Sequence, residues 1–290
     1  MSAAFQRFAE LCEQLSATTK KLEKRALMAD YLKSLAVEDA SRAALYFSGQ
    51  PFAETDRRTL NVGGSLLSKT VAQLSGADQN AMYAAYRRHG DLGAAAFDLL
   101  QKRRNSPVSL TMEDIERAFT DIAAAKGPTG KQPLLLDLLG KTTPIEAKYL
   151  IKLMSGDMRI GVKQSLVEEA ITHAYGAEIA QVRRAVMLTG SLPEVTSMAV
   201  AGTLDRARMR LFHALGFMLA SPVASVEEAM ERFSQEITAE HSGVSEALPE
   251  EERKPGQTQQ IAPQQALREA QLEDKYDGIR AQLHCGDLSQ

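Results

Sequence analysis

Along most of the first 220 residues apolar positions recur at helical spacing, in runs of ordinary helix length cut by Gly, Pro and polar caps, with no β-rich run among them. Phe5, Phe8, Leu11 and Leu15 form one such stripe, which reads as a core-facing helix surface. Thr143-Pro144-Ile145-Glu146 combines an N-cap hydroxyl, Pro at the first helical position and Glu at the third. It predicts a helix from Pro144 to Ser155 that stops at Gly156. Thr111 with Asp114, Ser191 with Glu194 and Ser225 with Glu228 repeat the same spacing. The expectation is an all-α, bundle-like domain over residues 1–216, and no internal repeat is read from the string.

The pattern then changes. Residues 234–265 are acidic and afterwards Pro/Gln-rich, with little to bury, and read as a flexible insertion. Beyond them Ile279, Ala281, Leu283 and Cys285 alternate with Arg280, Gln282 and His284, the period of a half-buried strand. A second, α+β domain is therefore expected to begin within 217–290 and, since one or two strands have no independent stability, to be incomplete within this chain.

Charge alters the picture only once it is divided. The formal net charge is -3. Residues 221–290 carry 6 Lys+Arg against 14 Asp+Glu, which leaves 28 against 23 before them, a mildly basic helical part. That balance permits a nucleic-acid partner without requiring one. Two cysteines, Cys12 and Cys285, are too few for a disulfide framework and read as free thiols. No stretch approaches the ~20 apolar residues of a membrane span, so a cytoplasmic protein is expected. The five histidines show no metal-ligand spacing, and His173 and His213 fall on helical stretches where a partly buried structural histidine is expected. The basic runs at Lys102–Arg104 and Arg206–Arg210 read as solvated faces.

The chemistry concentrates in Glu273-Asp274-Lys275-Tyr276-Asp277-Gly278-Ile279-Arg280. A Lys, any residue, Asp and Gly would arise by chance in roughly one chain in ten of this length, whereas adding Glu273 and Arg280 at fixed offsets lowers that to about one in a few thousand. This octet resembles the first signature motif of the covalent nucleotidyltransferases: DNA ligases, RNA ligases and capping enzymes. The resemblance implies that Lys275 attacks the α-phosphate of ATP to form lysyl-AMP, with pyrophosphate leaving. It further implies that Glu273 accepts a hydrogen bond from the adenine amine and Arg280 holds ribose or phosphate oxygens, while Gly278 supplies a tight turn and Asp277 orients it.

Three other segments resemble ATP-dependent DNA ligases. Residues 154–171 look like the helix, glycine turn and helix of the ligase DNA-binding domain. Gly156 would end one helix, Gly161 would permit close approach, and Arg159 and Lys163 would add charge beside the free N–H groups of the next helix, gripping the DNA backbone without reading sequence. Arg87-Arg88-His89-Gly90-Asp91-Leu92-Gly93-Ala94-Ala95-Ala96 and Phe217-Met218-Leu219-Ala220-Ser221-Pro222-Val223 also look familiar from that family, although Phe217 stands where a proline is common. The second places the border with the adenylation domain near 211–222. The expected protein is a monomeric DNA ligase that uses ATP and Mg2+ to seal nicked duplex DNA in replication, repair or recombination. The metal ligands and later motifs would lie outside this chain, leaving the 290 residues alone inactive. The alternatives are a non-catalytic nick- or duplex-binding module, or an RNA ligase or capping-type enzyme.

Overall fold

The computed structural model describes residues 2–103 and 107–210, with Ser225, Glu227 and Glu228. The Lys275 octet, the insertion at 234–265, the 217–222 segment, His213 and the expected strand all lie outside the described residues. Among the described residues the fold is all-helical, and the only pairing of extended chain is an isolated antiparallel bridge between Ala4 and Thr111.

The expected absence of a repeat is overturned. Helix α1 (Phe5–Ala17) has its equivalent in α7 (Met112–Ala124), α2 (Lys21–Lys33) in α8 (Gly127–Lys141) and α3 (Val37–Phe47) in α9 (Pro144–Met154). For the first and third pairs the bounds differ by a constant 107. After a shorter connection the offset becomes 100: α4 (Gly64–Ser75) matches α10 (Gln164–Tyr175), α5 (Gln79–His89) matches α11 (Ile179–Thr189), and α6 starts at Leu92 as α12 starts at Leu192. These last two run Leu92–Leu100 and Leu192–Ala201. The C-caps Gly76 and Gly176 are both left-handed, as are Gly90 and Gly190.

Burial follows the same correspondence. Phe5, Phe8, Cys12 and Leu15 of α1 fall on Met112, Ile115, Phe119 and Ile122 of α7, and all eight are fully buried. Equivalent positions thus keep an apolar side chain but change its identity, which is what the tolerance of cores to volume-compensated exchange allows. The expected stripe of Phe5, Phe8, Leu11 and Leu15 is core, and the Phe8 ring packs 4.9 Å from that of Phe47.

The two halves are interlocked. α6 packs on α9 while its equivalent α12 packs on α3, and α10 packs on α2 while α4 packs on α8. Each pairing joins one half to the other, the reciprocity of a two-fold interface within one chain. The equivalent corners at Gly49 and Gly156 meet, since a Cβ on Gly49 would lie 3.6 Å from the Gly156 carbonyl oxygen.

Local signals set the helix ends. Capping boxes form at Thr111 with Asp114 and at Thr143 with Glu146, and α9 runs from Pro144 to Met154 with Ser155 as its C-cap. Ser191 and Ser225 accept from the backbone N–H of Glu194 and Glu228. Arg103 is not a solvated face: its guanidinium donates to the carbonyl oxygens of Leu139, Gly140 and Thr142 and so closes the C-terminal end of α8. His173 is exposed on α10, contrary to the expected partial burial.

Candidate nucleic-acid interface

The four residues singled out for DNA contact occupy one connection, between the end of α9 and the start of α10. Met158 and Ile160 point inward and are buried, whereas Gly156, Asp157, Arg159, Gly161 and Lys163 are exposed. Three residues of this loop have positive φ: Gly156 at 74°, Arg159 at 49° and Gly161 at 63°. Arg159 is the informative one, because a branched-off side chain in the left-handed region is uncommon and needs surrounding structure to hold it. Its Nε donates to Asp157 Oδ2 at 2.9 Å and its Nη1 to the Gly90 carbonyl oxygen at 2.8 Å. The guanidinium is thereby fixed in direction while half of the side chain stays open to solvent.

The bond to Gly90 connects two of the sequence segments that resemble ligases. Gly90 caps α5, and Asp91 caps α6 by accepting from the Ala94 N–H at 3.0 Å. The same Asp91 carboxylate forms an ion pair with Lys152 of α9, with the two side chains 10% and 7% exposed. Burial pushes the Asp91 pKa up, but the Lys152 ammonium and the Ala94 N–H outweigh it and hold the carboxyl below its ordinary range. Gly93 lies two residues on. A Cβ there would sit 2.6 Å from the Lys148 carbonyl oxygen and 2.8 Å from Lys152 Cγ, so only glycine lets α6 press onto α9 at this contact. The chain Gly93, Asp91, Gly90, Arg159 therefore runs from the helix contact to the exposed cation.

Lys163 is the N-cap of α10, and no side chain caps that helix, which leaves its first-turn N–H groups directed outward with the positive end of the helix dipole. The connection thus carries two exposed cations, Arg159 and Lys163, of which Arg159 is paired with the Asp157 carboxylate. Beside it lies a groove of about 550 Å³ between α4, α5 and the loop, with Met82, Tyr83, Tyr86 and Arg159 among its lining.

Sequence reasoning missed the equivalent loop in the first half, Thr59 to Gly64, at the start of α4. Leu60 is buried like Ile160, Asn61 has φ 45° where Gly161 has 63°, and Gly63 caps α4 without a side-chain bond, as Lys163 does α10. It also missed Lys24 and Lys131, whose ammonium groups reach the carbonyl oxygens of Ile160 and Leu60 respectively. Positive-φ residues precede the two helix starts 100 residues apart, at Asn61 and Gly161, a likeness that the differing residue types conceal in the sequence. Among the described residues no group of three or more His, Cys, Asp or Glu gathers to hold a metal ion. No helix among them is long and apolar enough to cross a membrane.

The helical fold agrees with the comparisons. The family described as DNA ligase N terminus matches residues 4–172, more than half of the chain. The chain belongs to that family of DNA ligases. It is 43% identical over 279 residues to a probable DNA ligase of Koribacter versatilis, covering 96% of this chain and 42% of that protein. It is 35% identical to a probable DNA ligase of Opitutus terrae and 30% identical to a DNA ligase of Methanocella arvoryzae, in each case over 97% of this chain. The chain spans less than half the length of these relatives.

Proposed function

We infer that this chain is the DNA-holding front part of an ATP-dependent ligase that seals nicks in duplex DNA, with residues 1–216 as the DNA-binding domain and 217–290 opening the adenylation domain. The observation that carries the reading is the fixed Arg159 beside Lys163 and the uncapped start of α10. A guanidinium already held by Asp157 and Gly90 loses little freedom on meeting a phosphate, and the remaining N–H donors of its fork are suited to phosphate oxygens. The loop presents no constellation for reading bases, so contact with the backbone gives affinity and position without sequence preference.

Catalysis belongs to the Lys275 octet. In this reading the Lys275 amine attacks the α-phosphate of ATP and pyrophosphate leaves; AMP then passes to a 5′-phosphate at the nick, and the adjacent 3′-hydroxyl displaces it. Glu273 selects adenine, Arg280 holds the nucleotide, and Asp277 and Gly278 shape the turn. Magnesium would neutralise developing phosphoryl charge, through ligands outside the described residues. The 290 residues by themselves are expected to form no stable lysyl-AMP, since the resemblance covers only the first of the signature motifs.

Two measurements test this. Arg159→Ala should weaken binding to a nicked duplex by about tenfold regardless of sequence and lower the slope of log affinity against log salt by about one. Equal binding by the variant and the wild type would remove the loop from the interface. Intact-mass analysis after incubation with ATP and magnesium should show no AMP adduct on this chain; an adduct lost in Lys275→Ala would establish the nucleophile and overturn the expected inactivity.

A further inference from the structure

Lys24 and Lys131 are each 5% exposed, and among the described residues neither is ion-paired with a carboxylate. An ammonium placed in the interior against a carbonyl oxygen costs desolvation that an apolar side chain of similar size would avoid. Finding that arrangement once could be incidental to packing. Here it occurs twice, at equivalent places on α2 and α8, and each lysine crosses from its own half into the loop of the other.

The carbonyl each one takes is the informative detail. Lys24 Nζ donates to Ile160 O at 2.5 Å, and Ile160 immediately precedes the positive-φ Gly161. Lys131 Nζ donates to Leu60 O, immediately before the positive-φ Asn61. In both loops the residue held is the last buried one before a helix that lacks a side-chain cap. A Cβ on Gly161 would lie 2.5 Å from Lys24 Nζ, so the ammonium sits directly beneath the exposed turn.

We propose that Lys24 and Lys131 are positioning residues that brace the two equivalent loops, Met158 to Lys163 and Thr59 to Gly63, in the form that presents their helix N-termini to the phosphate backbone of DNA. The proposal rests on the DNA-binding reading and deepens it: the interface has two related contact loops, each fixed from below by a cation contributed by the opposite half. The lysines touch no phosphate. They act by holding a carbonyl, and so they hold the direction of the following N–H groups.

Lys24→Met and Lys131→Met, made separately in the full chain, test it by three readouts. Methionine keeps the volume and removes the buried charge, so the melting temperature should stay level or rise. Amide hydrogen exchange should quicken in 158–163 for Lys24→Met and in 59–64 for Lys131→Met, each variant loosening the loop across the divide. Affinity for a nicked duplex should fall about tenfold with its salt slope unchanged, because no phosphate contact is lost. A slope lowered by about one would mean that the lysine meets phosphate itself, which overturns a positioning role. A lower melting temperature with unaltered affinity of the folded protein would make these residues core supports only, and likewise overturn it. Wild-type protein that fails to bind nicked duplex would sink the DNA-binding reading, whereas wild-type binding equalled by both variants would sink this inference alone.

Discussion

Alanine in place of Gly93 would drive a methyl group into the backbone of α9, against an oxygen that cannot move without shifting the helix. Overpacking of this kind costs about 1–3 kcal/mol, and Gly93→Ala should lose that much in urea unfolding while leaving the charge of the surface unchanged. A variant of wild-type stability would show that α6 and α9 can separate freely. Some residue-scale features were legible because they depend only on neighbours in sequence: the hydroxyl and carboxylate three residues apart at Thr111 and Thr143, or the glycines around Arg159. Lys24 was not. In the string it stands among Lys20, Lys21 and Arg25, and nothing local distinguishes a lysine whose ammonium is buried from its solvated neighbours.

Among elements, the ion pair of Asp91 with Lys152 ties the start of α6 to the last turn of α9. The Asp91 carboxyl has a lowered folded-state pKa, so its contribution is present above the unfolded value near 4 and is lost as pH falls through the folded one. Asp91→Asn leaves the buried Lys152 ammonium without its counter-charge and should cost about 3 kcal/mol at pH 7. The difference between variant and wild type should shrink as pH drops below about 4, when the wild-type carboxyl also protonates. Chemical unfolding of both proteins from pH 7 to pH 3 measures it, and a difference independent of pH would assign the effect to capping of α6 instead. Most helices were legible from period and caps. Their pairing was not, because which apolar stripe meets which is decided between segments far apart in sequence, as in α6 with α9.

For the whole molecule, the duplication escaped the sequence for a physical reason. What the halves share is burial, backbone sign and helix length, and these allow Phe5 to answer Met112 and Asn61 to answer Gly161 with little identity to detect. The offset then changes from 107 to 100 at the loop, which breaks any fixed period. The loop itself was legible as a motif in one half only, since Arg159 and Lys163 have the uncharged Thr59 and Gly63 as their equivalents.

The interlocked packing also determines what kind of reaction folding is. Neither half can cover the apolar faces of its own helices, since α6 needs α9 and α3 needs α12, so assembly resembles the association of two subunits whose local concentration is supplied by the covalent link between α6 and α7. Cutting that link should turn a concentration-independent melting temperature into one that rises with protein concentration, with each half alone lacking a cooperative transition. Calorimetry of the cut protein over a dilution series would show it; halves that melt cooperatively on their own would mean that the exchange of faces is ornamental to stability. By this account the domain is a dimer that carries its partner within the same chain.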